Sequence, residues 1–270
     1  MTYNKRLCFF NEFIGKKQLF SYVIISLQGV YYNFDILFWK KGRCFMFYHY
    51  KFWHSLKNPT YFTSIVEEGE VIGYKKRVLT VFILFILLFA AREYWGMGTE
   101  NLTSLFAKDL QNEYYVARIL SMLGAVLWAI VYFCFHYYGV TYLLHLLTDI
   151  PYTWIKRVQL YVVAFLLIEK AILFAVFYAV GYTTMFSFFS LAPAALQVIE
   201  TDFVLFTLNQ LTVTTVLIII VQYLFLSKWE EEASRKMLVV KLIGIQLFMA
   251  IFVGLISVLP IKEWIARGLG

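Results

Sequence analysis

The feature that most restricts this chain is a series of five charge-poor apolar stretches, Val78–Tyr94, Ala117–Tyr138, Val158–Tyr182, Val204–Leu226 and Met237–Leu259. Each is about as long as a membrane-crossing helix, which takes ~17–25 residues. In lipid a backbone has to satisfy its own hydrogen bonds, so each stretch is expected to be helical. Composition agrees. The chain is 61% apolar and 15% charged, with a mean hydropathy of +0.69, against ~45–50% and ~25% in soluble domains. Four Pro, fourteen Gly and three Cys exclude collagen-like, low-complexity and disulfide-scaffold classes. The expected fold class is an all-α, multi-pass transmembrane bundle of five spans, with 46–77 as a head, 78–259 as the membrane domain and 260–270 as a short tail.

Charge sets the orientation. Lys75, Lys76 and Arg77 abut the first span, Lys156 and Arg157 the third, and Lys228, Arg235 and Lys236 lie between the fourth and fifth. With five spans these groups share one side, and the positive side is cytoplasmic. The N-terminal head is therefore expected inside. Lys262 and Arg267 in the tail oppose this mildly. Tyr94, Trp95, Tyr114, Tyr115, Tyr137, Tyr138, Trp154, Trp229 and Trp264 stand where an interfacial belt requires amphipathic rings. Between the first two spans, Leu102, Leu105, Phe106 and Leu110 recur at helical spacing, which predicts an amphipathic surface helix. Asn101-Leu102-Thr103 is a sequon that arises readily by chance.

The first 45 residues read differently. The first 50 contain no Ala and no Pro, and are rich in Phe, Tyr, Lys, Ile and Asn. Leu19–Trp39 is apolar enough for a sixth span, but Gln28, Asn33 and Asp35 interrupt it. It also lacks the small-residue cleavage site of a signal peptide. Lys41-Gly42-Arg43 is encodable as a purine-rich ribosome-binding sequence ahead of Met46. Two readings stand: translation starting at Met46, with 1–45 an over-called extension, or a genuine sixth helix.

Charges inside spans are functional candidates, because each costs roughly 2.5–3.5 kcal/mol at mid-membrane on insertion scales. Glu169 and Lys170 are the clearest pair, expected near the midplane of the third span. Adjacent on a helix, they point about 100° apart, so each is expected to find a partner on another helix. His136 and His145 are the candidates for Glu169. The bland alternative starts the true span near Ala171, which makes Glu169-Lys170 a boundary pair. The fourth span adds Thr207, Asn209, Gln210, Thr212, Thr214, Thr215 and Gln222. Interhelical packing is the default role for such residues, and a polar path is the sharper one. The candidate intramembrane polar site is Glu169, Lys170, His136, Asn209 and Gln210.

Enzyme motifs are lacking: there is no GxSxG, HExxH or P-loop. Cys8, Cys44 and Cys134 form no CxxC, and no Cys/His spacing fits zinc. Glu200 and Asp202 alone are too few oxygen ligands for a cation, and Glu230-Glu231-Glu232 reads as a solvated loop. No catalytic residue, cofactor or metal is expected, and no nucleic acid, since no soluble fold presents the +7 charge.

Two segments resemble the YIP family, five-span relatives of Ypt/Rab-interacting proteins. One is the head Ser55-Leu56-Lys57-Asn58-Pro59-Thr60-Tyr61-Phe62 with Ile65-Val66-Glu67-Glu68. The other is Asp202-Phe203 through Leu208-Asn209-Gln210-Leu211, leading to Lys228 and Arg235-Lys236. The chain departs from the family at Leu166–Lys170, where Gly-Tyr and Pro are usual. The resemblance implies an integral membrane protein without catalysis, in a family whose eukaryotic members bind small GTPases in vesicle trafficking; it carries over no functional residue. The expectation is a non-enzymatic multi-pass protein of the cell membrane, by type a bacterial cytoplasmic membrane. Its partners would be the lipid bilayer and other membrane proteins, in a scaffold role. The alternatives are a permease-like subunit with an intramembrane polar path, and an immunity or envelope-stress protein.

Overall fold

The computed structural model describes residues 36–40, 43–49, 52–97 and 111–258. The chain divides into two compact units, Met1–Arg77 and Val78–Gly270. The sequon at Asn101 and most of the expected surface helix lie outside the described residues, as do 1–35 and the tail from Leu259. Gln111–Val116 is described, and it opens the second long helix instead of closing a loop.

In the first unit, strands β1 (Ile36–Lys40) and β2 (Arg43–His49) pair antiparallel, and β3 (Gly69–Ile72) pairs with β2 in parallel. Ile36–Trp39 is thus strand, which corrects the end of the sixth-span reading. Met46 pairs with Leu37 and Gly69 within this sheet. Helices α1 (Phe52–Lys57) and α2 (Pro59–Glu68) follow. Asn58 precedes Pro59, whose fixed φ and missing N–H suit the first helical position. Phe62, Ile65 and Val66 are buried. Their i, i+3, i+4 spacing is the apolar stripe of an amphipathic helix.

The second unit is helical: α3 (Tyr74–Trp95, beginning at the unit boundary), α4 (Gln111–Cys134), a π-helical turn (Phe135–Gly139), α5 (Val140–Leu147), α6 (Tyr152–Val180), the short α7 (Ala192–Ala195), α8 (Asp202–Gln210), α9 (Val213–Leu226) and α10 (Arg235–Val258). Four helices are long and apolar enough to cross a membrane: Tyr74–Trp95, the continuous Gln111–Leu147, Tyr152–Val180 and Glu232–Val258. Their outward faces carry Leu123, Leu127, Val131, Leu247 and Phe248, all exposed. An apolar exposed face suits a helix solvated by lipid tails.

α6 is one unbroken helix of 29 residues, ended by Gly181 in the left-handed region at φ +84, with its N–H on the Phe177 carbonyl. Only glycine takes that conformation at no steric cost. The alternative in which the span starts near Ala171 does not hold. The expected fourth span is the principal correction. It is two helices, α8 and α9, separated by non-helical backbone at Leu211 and Thr212. α8 packs along α10. Gly254 permits the approach, since a Cβ there would overlap Thr207 Oγ1 and lie 3.2 Å from the Thr207 nitrogen. At the other end Arg235 Nε donates to the Ser227 carbonyl at 3.1 Å. Thr207 and Ser227 are twenty residues apart, and Arg235 and Gly254 nineteen. The broken pair therefore covers the same axial distance as α10, running antiparallel to it.

Candidate functional site

The site forms where the backbone leaves the helix. Leu211 and Thr212 are extended or nearly so, and Thr212 then caps α9. Its Oγ1 accepts from Thr215 N at 3.3 Å, while Thr215 Oγ1 accepts from Thr212 N at 3.2 Å. This reciprocal pair satisfies amides that a helix start would otherwise leave bare. Thr215 Oγ1 also donates to the Gln210 carbonyl at 3.1 Å. The return segment after α6 closes the break from outside. Ser190 and Thr212 form a β-bridge, Leu191 N donates to the Leu211 carbonyl, and Val213 N donates to the Phe189 carbonyl. Phe186, Ala192 and Leu205 form a small core above it. Irregular backbone at membrane depth is tolerated only where protein buries it or a cavity lines it.

Glu169 faces this break. It is 3% exposed, and Thr212 Oγ1 donates to its Oε2 at 3.3 Å. It lies seventeen residues into α6, ~26 Å along the axis at ~1.5 Å per residue, leaving ~17 Å to Val180. The carboxylate thus lies well inside the apolar helix, away from both of its ends. It sits at the start of α9, where the helix dipole favours an anion.

Lys170 Nζ reaches Glu169 Oε1 at 3.4 Å. Glu169 thus has its partner on another helix, Thr212, and in addition meets its neighbour: the Cα–Cβ directions diverge, but two long side chains bend together. The two ends differ in access. The lysine side chain is 26% exposed and the glutamate side chain 2%.

His136 is not a direct partner of Glu169. It lies in the π turn, with its ring centroid 4.3 Å from that of Tyr132 and the two planes tilted. Its carbonyl accepts from Gln159 Nε2 at 2.7 Å. A π turn places one extra residue in the ladder, a device common at functional sites, and here a side chain meets the carbonyl. Gln159 Oε1 in turn accepts from Gln222 Nε2 at 3.1 Å, with both residues 1% exposed. Tyr132 interacts electrostatically with both Glu169 and Arg92. Next to Arg92, the buried Glu93 accepts from Ser121 Oγ, and Arg118 donates to the Tyr94 carbonyl. Buried hydrogen bonds thus join Gln222 through Gln159 to the His136 carbonyl, and separately Thr212 to Glu169 and Ser121 to Glu93.

Asn209 lies at the end of α8, before the break, where its Oδ1 accepts from Ser187 N at 2.8 Å and from Ser190 Oγ at 3.0 Å. Gln210 contributes its carbonyl to Thr215. His145 turns away, with Nδ1 2.9 Å from the Ile150 carbonyl. Sequence reasoning missed Gln159, Tyr132 and Glu93, and read Thr212 and Thr215 as polar residues inside one continuous span. The Thr-x-x-Thr spacing before an apolar run is the signal of a helix start that was available. Among the described residues no group of three His, Cys, Asp or Glu side chains is placed to hold a metal ion.

No protein-family model matches the chain, and no curated protein and no solved structure matches it.

Proposed function

We propose that this is a five-crossing integral membrane protein, with its head on the cytoplasmic side, that works as a permease-like carrier and performs no covalent chemistry. One observation carries the reading: the break at Leu211–Thr212 lies at the depth of a buried carboxylate. Discontinuous helices whose ends meet at membrane depth are how carriers expose backbone and side-chain oxygens to a solute. The buried hydrogen bonds of Gln159 with the His136 carbonyl and with Gln222 place further polar groups inside the same bundle. Interfacial aromatic and basic residues support the fifth crossing. The Trp154 and Trp229 rings lie 5.2 Å apart in a tilted pair, and Lys156 lies over the Tyr138 ring at 4.6 Å, as expected at a headgroup boundary.

A scaffold role in the manner of the YIP family is the second reading. The Asn209 network favours it, because that side chain is engaged in holding the return segment and not offered to a solute. The two are separated by access from both faces. Gln210→Cys is introduced with the three native cysteines replaced by serine, in right-side-out and inverted vesicles. A carrier lets a membrane-impermeant thiol reagent reach Cys at this position from both sides. Labelling from one side only, or from neither, refutes the carrier reading and favours the scaffold.

A further inference from the structure

Where α5 turns into α6, one lysine is ringed by tyrosines. Lys156 Nζ lies 4.6 Å from the centre of the Tyr138 ring, 5.4 Å from that of Tyr137 and 5.9 Å from that of Tyr152. Tyr137 and Tyr138 belong to the π turn, and Tyr152 opens α6 about one turn before the lysine. A ring face attracts a cation within ~6 Å, so the three rings hold the ammonium at the seam between the two helices. The seam opens outward: Tyr137 is buried, Lys156 is half-buried and Tyr138 is 43% exposed. Positive charge gathers at this end. Arg157 follows Lys156, the Trp154–Trp229 pair brings Lys228 close, and the start of α6 is the positive end of that helix. Of the acids here, Asp149 is exposed in the turn and Glu232 meets Arg235 at 3.5 Å. Further along the same crossing, Trp128, Val131 and Phe135 are exposed at i, i+3 and i+7, an apolar stripe that leads from the tyrosines toward the middle of the span.

We propose that this seam binds one anionic phospholipid, with the Lys156 ammonium on its phosphate and an acyl chain along Phe135, Val131 and Trp128. The phosphate alone could come from a lipid or from solution. Two features select the lipid: the apolar stripe begins beside the charge, and the Trp and Tyr rings set the lysine at headgroup depth. An ammonium against ring faces keeps its charge and its N–H donors. The rings also restrict a stem that is otherwise rich in rotamers, so less entropy is lost when a headgroup binds. Basic pockets between crossings on the cytoplasmic side take anionic headgroups in this way. The site serves a carrier or a scaffold alike. Only its assignment to the inner leaflet rests on the topology proposed above.

The test is thermal unfolding of the purified full chain in uncharged detergent, titrated with phosphatidylglycerol, phosphatidylcholine or inorganic phosphate at constant ionic strength. Phosphatidylglycerol is expected to give a saturable rise in Tm, of about 3–6 °C at a tenfold excess over Kd, and the other two little. Lys156→Gln is expected to raise the half-maximal concentration at least about fivefold. Lys236→Gln, which removes an exposed lysine at the start of α10, is expected to shift it by less than about twofold. Should Lys156→Gln fail to fold, Tyr138→Leu, which removes the nearest ring, is expected to raise it about two- to fivefold. Equal responses to phosphatidylglycerol and phosphatidylcholine overturn the proposal, as does a Lys156→Gln protein that titrates like the wild type. A full response to inorganic phosphate assigns the site to a soluble anion and overturns the lipid. If Glu231→Cys labels from outside alone, the topology falls and this inference stands, with the lipid in the outer leaflet.

Discussion

Gly254→Ala tests the packing that holds the broken crossing against α10. The added Cβ would overlap Thr207 Oγ1 and lie 3.2 Å from the Thr207 nitrogen and 3.3 Å from the Phe203 carbonyl. Thr207 cannot simply rotate away, because its Oγ1 donates to that same Phe203 carbonyl at 2.8 Å. Moving it forfeits a hydrogen bond worth ~0.5–1.5 kcal/mol net. Shifting α8 instead incurs the ~1–3 kcal/mol typical of overpacking. The expected loss is about 2–3 kcal/mol. Thr207→Ala removes the overlapping oxygen, so Gly254→Ala/Thr207→Ala is expected to recover most of the loss, with a coupling of about 1–2 kcal/mol. The assay is reversible denaturation of all four proteins of the cycle in mixed micelles. If Gly254→Ala lies within about 0.5 kcal/mol of wild type, or if Thr207→Ala fails to rescue it, α8 does not pack on α10 as described.

Further predictions follow from the buried polar contacts. Gln222→Leu alone leaves the buried Gln159 carbonyl oxygen unmet and is expected to cost ~1–3 kcal/mol, and in the double substitution with Gln159→Leu the loss is less than the sum of the singles, the remainder reflecting the His136 carbonyl left without its donor; additive losses in a denaturation cycle contradict this. Thr212→Ala removes both the cap of α9 and a donor to Glu169, and a loss of ~1–2 kcal/mol is expected in the same assay; a neutral result shows that the cap is not formed. Ser121→Ala, at the contact between α3 and α4, is expected to cost ~1–3 kcal/mol by leaving the buried Glu93 short of a donor; no change in Tm refutes that contact. A cysteine at Glu231 is expected to label only from the cytoplasmic face; labelling from outside inverts the topology.

The long helices were legible because their signal is apolar length, and only helices satisfy such a stretch in lipid. α3, α4 and α6 follow their apolar runs with shifted ends. α6 begins at Tyr152, just after Pro151, where a fixed φ and the end of the turn favour initiation. The break was not legible from hydropathy, because Leu211 and Val213 keep the run apolar while the backbone changes. Its mark is chemical: two threonines at capping distance, read as polar residues inside one span. Glu169 was found because a charge in an apolar run is conspicuous. Its partner was misjudged because helical geometry fixes where a side chain starts, not where a flexible one ends. The π turn at His136 follows from no local residue preference; it is matched by Gln159, twenty-three residues away.

The most direct test of the account is a cysteine scan across 204–226 in whole cells, in a background with the native cysteines replaced by serine and with a membrane-impermeant thiol reagent. The account predicts protected positions along α8 and α9 and a window of reactivity at Gln210–Thr212, where polar backbone interrupts the crossing beside Glu169. Uniform protection from Val204 to Leu226 would show that no solute path reaches the break and would contradict the carrier account.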